Sequence, residues 1–192
     1  MAKATLPSVA LPDLLDPNGK PVLSAPQAPD ATIQSDSSDD QAAATNEPVP
    51  AVKPSDGLAA MVAELRSPEP GGRELECLAT GIYFESKGEP LAGQLAVGKV
   101  IANRASSGGR FPGTYCGVLF QRGQFSFVHG HSLPNVARSN RQWQTAVAIA
   151  KIVDQRLQDS SVGSALFFHA RYVSPGWGLK RVASIGNHIF YR

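Results

Sequence analysis

Eleven of the 15 prolines in this 192-residue chain fall within the first 73 residues. Proline fixes one backbone torsion and removes the amide donor, so prolines at this density interrupt regular structure. The same segment carries five Lys or Arg against ten Asp or Glu, and few large apolar residues. It lacks the surface needed to offset its ordering entropy, and residues 1–73 are expected to form a disordered Pro/Ala/Ser/Asp-rich tether. One patch, "GLAAMVAELR" (57–66), has helical spacing but no evident partner, so it is expected to form only a transient helix. The opening "MAKATLPSVALPDLLDP" is interrupted by Pro7 and Pro12 and does not read as a signal peptide. Either the true start lies upstream or export follows another route. No run of 18 apolar residues encodes a membrane span.

Folding is therefore expected in residues 74–192. This part holds 13 Lys or Arg and six carboxylates: Glu74, Glu76, Glu85, Glu89, Asp154 and Asp159. Its net charge of +7 is hidden within the whole-chain value of +2. Such a basic domain suits a polyanion: nucleic acid, anionic lipid or an anionic cell-wall polymer. The basic residues are scattered and no aromatic-basic RNA-binding motif is present, so nucleic acid is not expected as the partner. Cys77 and Cys116 are too few for a four-ligand zinc site. They form either one bridge in an oxidising compartment or two buried thiols, and the residues alone leave both open.

From Glu74 the apolar spacing is helical: Leu75, Leu78, Ala79 and Ile82 share one stripe. Glu74 and Glu76 suit the dipole of the first turn, and Gly88 is expected to end the helix. Glu89 is then expected to cap a second helix opened by Pro90, whose small residues Ala92, Gly93, Ala96 and Gly98 permit close approach of a neighbour. Residues 110–135 break the helical period, and "GQFSFV" alternates like a short strand. A third helix is expected from an N-cap at Ser139, with Trp143, Val147, Ala150 and Leu157 facing inward. Two extended pieces, "ALFFHARYV" and "ASIGNHIFYR", flank the turn "SPGWG". The expected class is α+β, mainly helical with a small β element.

Glu85 is out of place in this pattern. It lies seven residues after Leu78 and three after Ile82, so it continues the apolar stripe into positions that should be buried. The other five carboxylates have ordinary explanations as dipole partners, cap or solvated helix residues. Burial raises a carboxyl pKa, and a carboxylic acid still protonated near neutrality is what glycosidic cleavage requires of a general acid. The bland alternative is a Glu at a fraying helix end, bonded to the next loop.

Four blocks, "CLATGIYFESKGEPLAGQLAVGKVIANR", "FPGTYCGVLFQRGQFSF", "ALFFHARYVSPGW" and "IGNHIFYR", together resemble the spore-cortex-lytic (SleB-like) cell-wall hydrolases over nearly all of residues 75–192. The resemblance implies a lysozyme-like, lytic-transglycosylase-type fold acting on peptidoglycan glycan strands. It also implies that the first Glu of a "YxEARGE" motif, here Glu85, is the catalytic acid/base. Ser86 and Lys87 stand where the family more often has Ala and Arg. Gly123 and His129 flank "QFSF" where many relatives carry further cysteines, which removes a possible second disulfide and leaves the Cys77–Cys116 pairing undecided.

A hydrolase normally needs two carboxylates. Only one is well placed here, so a single-acid lytic transglycosylase is expected, with no metal or organic cofactor. Gln124, Ser126 and Phe127 would line the cleft. Tyr83, Tyr172 and Trp177 would stack on sugar faces, although aromatics at such positions are more often core. Glu89 could help by position, its capping role being the simpler assignment. The enzyme is expected to act as a monomer in the cell envelope or periplasm. Two alternatives compete: a zinc amidase built on His129, His131, His169 and His188, or a peptidoglycan-binding module without chemistry.

Overall fold

The computed structural model describes residues 54–192, with side-chain placement from residue 57. The opening segment and most of the expected tether, residues 1–53, lie outside the described residues. Five helices precede a small sheet: α1 Pro54–Leu65, α2 Arg73–Ser86, α3 Leu91–Ala105, α4 Tyr115–Leu119 and α5 Arg141–Asp154. Strands β1 Phe167–Ala170, β2 Arg181–Ile185 and β3 His188–Tyr191 form an antiparallel sheet in the order β1-β3-β2. The class is the expected α+β.

The core lies between α2, α3 and α5, and their closeness depends on two glycines. A Cβ on Gly98 would sit 2.8 Å from Ile82 Cδ1, and one on Gly81 would sit 2.7 Å from Ile101 Cδ1. A larger residue at either position requires those isoleucine side chains to give way. Gly98 was among the small residues marked for close approach, whereas Gly81 was not.

The folded unit starts earlier than expected. Residues 57–66 are not an unpartnered patch: α1 packs on α5 and α3, and Leu58 and Val62 are buried in the common core. The segment that follows is tied down as well. Arg66 Nε donates to Thr145 Oγ1 at 3.2 Å, and Trp143 Nε1 donates to the Pro68 carbonyl at 2.9 Å. Pro68 and Pro70 therefore mark a short interhelical link, not the end of a tether. The partner of α1 lies some 80 residues downstream, so no local pattern could show it.

Three local expectations also change. "GQFSFV" is irregular loop, because no strand lies beside it to complete a ladder. Its alternation instead sends Phe125 into the core and stacks Phe127 on Phe84, ring centroids 4.7 Å apart. The cap of α5 is Asn140, whose side chain accepts from Gln142 N, and not Ser139. Leu157 is not on the inner face but 47 % exposed, because the helix stops at Asp154. There Arg156 takes φ +55°, Arg156 N–H bonds Val153 O and Leu157 N–H bonds Ile152 O. This is the left-handed termination that glycine usually supplies.

The structure settles the cysteines: Cys77 and Cys116 are bridged, joining α2 to α4 across a separation of 39 residues. Closing a loop of that size restricts the unfolded chain by about 4 kcal/mol. Reduction, or Cys77→Ala with Cys116→Ala, should lower the unfolding free energy by roughly 2–4 kcal/mol in urea titrations. Arg156→Gly should raise it by about 0.5–1 kcal/mol, since glycine pays no left-handed penalty.

Candidate active site

Glu85 sits in the last turn of α2, one residue before the helix ends. Helical spacing carries it down the side already occupied by Leu78 and Ile82, and it is only 3 % exposed. Desolvation by burial raises its pKa from 4.5 to about 8, with the positive charge of Arg104 pulling in the opposite direction. Its Oε2 makes no hydrogen bond within the protein. A neutral carboxyl at this depth is a proton donor with an oxygen in reserve.

Arg104 is the residue that sequence reasoning missed. It is 1 % exposed, and burial lowers its pKa to about 10 against the attraction of Glu85. Nε donates to the Leu166 carbonyl at 2.7 Å and the guanidinium lies 5.1 Å from the Phe111 ring centroid, while Nη1 has no partner. No contact ion pair joins it to Glu85 among the described residues. The signal was available: Val97, Val100, Ile101 and Arg104 repeat the i, i+3, i+4, i+7 stripe that singled out Glu85.

The other expected site residues separate into groups. Gln124 is buried with Nε2 unpartnered, and Ser126 and Phe127 are half-buried on the same loop. The Phe84–Phe127 stack brings that loop beside the end of α2. Tyr172, which follows β1, is 63 % exposed, and its hydroxyl pKa is raised by partial burial and then by the charge of Glu85. Loop and tyrosine thus both attend the Glu85 region. Tyr83 is instead committed to the core: Phe84 and Trp143 meet its ring edge-on and the Lys87 ammonium lies over it at 5.1 Å, leaving little open face for a sugar. Trp177 packs on Phe167, His169 and Tyr191, and it lines a 420 Å³ cleft with Arg171 that does not include Glu85.

Two more clefts, of 290 and 340 Å³, are lined by the Arg73–Trp143 region and by the Phe120–His131 loop. Glu85 lines neither, so its candidacy rests on its burial and chemistry and not on a cavity.

The histidines do not converge. His129 and His131 are exposed on the loop, whereas His169 and His188 are buried in the sheet. Both ring nitrogens of His169 are engaged, with Ala170 O at 2.8 Å and Tyr191 Oη at 2.9 Å. Among the described residues no three His, Cys, Asp or Glu side chains cluster as a metal site.

Glu89 does not cap α3. The N-cap is Pro90, with no side-chain cap bond. The Glu89 carboxylate instead crosses to the β2–β3 turn, accepting from Asn187 N at 2.9 Å and from Asn187 Nδ2 at 3.0 Å.

Comparison with known proteins agrees with this architecture. The chain is 30 % identical over 119 residues to the spore cortex-lytic enzyme of Halalkalibacterium halodurans, covering 61 % of this chain and 34 % of that protein. The corresponding enzyme of Bacillus cereus is 30 % identical over 123 residues, covering 61 % and 43 %. The chain thus spans well under half the length of these relatives. The crystal structure of the catalytic domain of the Bacillus cereus SleB protein superposes with a TM-score of 0.51 at 29 % identity, covering 66 % of this chain and 98 % of that domain. The sequence model of the Cell Wall Hydrolase family matches residues 88–191, beginning just after Glu85 and spanning more than half of the 192 residues. The chain belongs to the Cell Wall Hydrolase family.

Proposed function

We propose that this domain cleaves the glycosidic bond between N-acetylmuramic acid and N-acetylglucosamine in peptidoglycan, as a lytic transglycosylase with Glu85 as its one acid/base. The observation that carries this reading is the buried carboxyl of Glu85, held protonated at neutral pH with its Oε2 unpartnered. The relatives' name, spore cortex-lytic enzyme, supports a wall-degrading role. Among the described residues no second carboxylate is evident as a partner. Glu89 is engaged by Asn187, and Glu74 and Glu76 stand at the far end of α2, about 14–17 Å away along its axis.

In the proposed reaction Glu85 donates its proton to the glycosidic oxygen as the C1–O bond breaks, releasing the leaving sugar as an alcohol. The resulting carboxylate takes the proton of the muramic 6-hydroxyl, whose oxygen closes on C1. The proton returns to Glu85, no water is consumed, and the product ends in a 1,6-anhydro ring. Arg104 would steady the carboxylate between the two transfers without a contact that competes for the proton. The N-acetyl group of the sugar would help to stabilise the oxocarbenium-like charge. Phe127, Gln124 and Ser126 on one side and Tyr172 on the other would guide the strand, and the excess of positive charge suits an anionic polymer. Action outside the cytoplasm accords with the Cys77–Cys116 bridge, which persists in oxidising surroundings.

Digestion of purified peptidoglycan followed by mass spectrometry tests this directly. The expected products are anhydro-muramyl fragments one water lighter than hydrolysed ones. Reducing-end products throughout would reject transglycosylation, and intact glycan would reject the glycosidase reading. Glu85→Gln should fold normally and lose at least about 100-fold in rate. Wild-type activity should fall as pH rises through about 8, where the donor loses its proton.

The same burial predicts a stability effect of definite sign. The folded-state pKa lies above the unfolded one, so folding is not penalised below pH 4.5 and loses stability as pH rises from there to about 8. Glu85→Gln removes this loss. Its thermal unfolding should match wild type at pH 4 and exceed it at pH 9, and equal curves at both pH values would contradict the burial of the charge.

A further inference from the structure

We propose that Glu89 is a positioning residue for the reaction, clamping the β2–β3 turn so that Tyr172 is held opposite Glu85. This rests on the glycosidase reading and extends it to a second carboxylate with a different task.

The geometry begins at the corner between α2 and α3. Glu89 N–H bonds Ser86 O at 2.9 Å, and Glu89 O accepts from Gln94 Nε2 at 3.0 Å, so its backbone is fixed to both helices. Its side chain is almost buried, which makes its partners count for more than on an open surface. Both oxygens are used by one residue: Oε2 takes the backbone N–H of Asn187 and Oε1 takes its side-chain amide. His188 Nδ1 lies 3.9 Å from Oε1, and burial together with His169 lowers the His188 pKa against the pull of Glu89.

The turn is shaped to receive this carboxylate. Gly186 adopts φ +55°, and a Cβ on it would overlap Glu89 Oε2. Asn187 then passes the constraint on: its carbonyl accepts the N–H of Arg171 at 2.8 Å, and Arg171 precedes Tyr172. One continuous path therefore runs from the helix end bearing Glu85, through Glu89 and Asn187, to the residue beside Tyr172. Burial, and after it the charge of Glu85, raises the Tyr172 hydroxyl pKa, so the two ends of that path lie within electrostatic reach of each other. β1 is held by its pairing with β3 and by its buried phenylalanines, so the clamp adds the tie that fixes this end of the sheet to the corner after Glu85, and without it Tyr172 would shift relative to the reacting bond. Displacements of that kind are costly to rate even when binding is retained.

The chemistry demands a carboxylate. Two donors converge from Asn187, and glutamine offers only one acceptor, turning its amide nitrogen toward a donor. Glu89→Gln should lower kcat on solubilised glycan strands about tenfold with KM changed less than about threefold, in protein that retains its far-UV circular dichroism. The paired change Glu89→Gln with Asn187→Asp should restore most of the rate, because the new amide would donate to the new carboxylate while its oxygen accepts from the turn. Tyr172→Ala should cost much less in the Glu89→Gln background than alone, since the clamp would already be open. Full kcat in folded Glu89→Gln, or an equal Tyr172→Ala effect in both backgrounds, overturns the proposal. If Glu89→Gln does not fold, Asn187→Ala removes one of the two bonds and is read by the same criteria. Wild-type protein that releases no glycan fragment sinks the glycosidase reading and this one with it, whereas active wild type with unaffected variants sinks this one alone.

Discussion

Removing the carboxyl of Glu85 from water is the constraint around which the site is arranged. Raising its pKa to about 8 corresponds to at most about 5 kcal/mol of destabilisation once the group is forced to ionise. That is comparable with the restriction supplied by the single disulfide. The chain carries this cost in a core where isoleucine side chains of the facing helices fill the space against Gly81 and Gly98. Arg104 supplies a counter-charge at the same depth, without the contact that would fix Glu85 as a permanent anion. A full ion pair would add stability and remove the acid.

The remaining structure falls into two parts with distinct tasks. The helices fix the depth of Glu85: α2 carries it, α3 and α5 bury its stripe, and the Cys77–Cys116 bridge fastens α4 against α2. The sheet packs β1 inward, leaves much of β2 exposed, and meets the acid-bearing corner through polar contacts at the Gly186–Asn187 turn. Rigid burial thus lies on one side of Glu85 and hydrogen-bonded contacts on the other.

Much of this was legible in the residues. The periodicity of α2 singled out Glu85, the small residues of the next helix anticipated its close contact, and the α+β class followed from the order of elements. Arg104 lay on an equally readable stripe, but in a basic domain with 13 Lys or Arg one more arginine does not stand out. Other features were not legible. The two phenylalanines of "GQFSFV" alternate as a strand would, yet alternation specifies a strand only where a partner edge exists. Tyr83 and Trp177 have the composition of sugar platforms, but their neighbours, Trp143 for one and His169 with Tyr191 for the other, come from distant segments.

By itself the sequence determined where an acid would be buried, which segments would be helical and which family pattern the domain carries, because these depend on spacings of a few residues. Tertiary structure alone decided that residues 57–66 join the core, that the two cysteines meet, and that Glu89 grips a turn 98 residues away instead of capping its own helix. Each of those depends on which distant surfaces come into contact, and local periodicity holds no information about the far side of a contact.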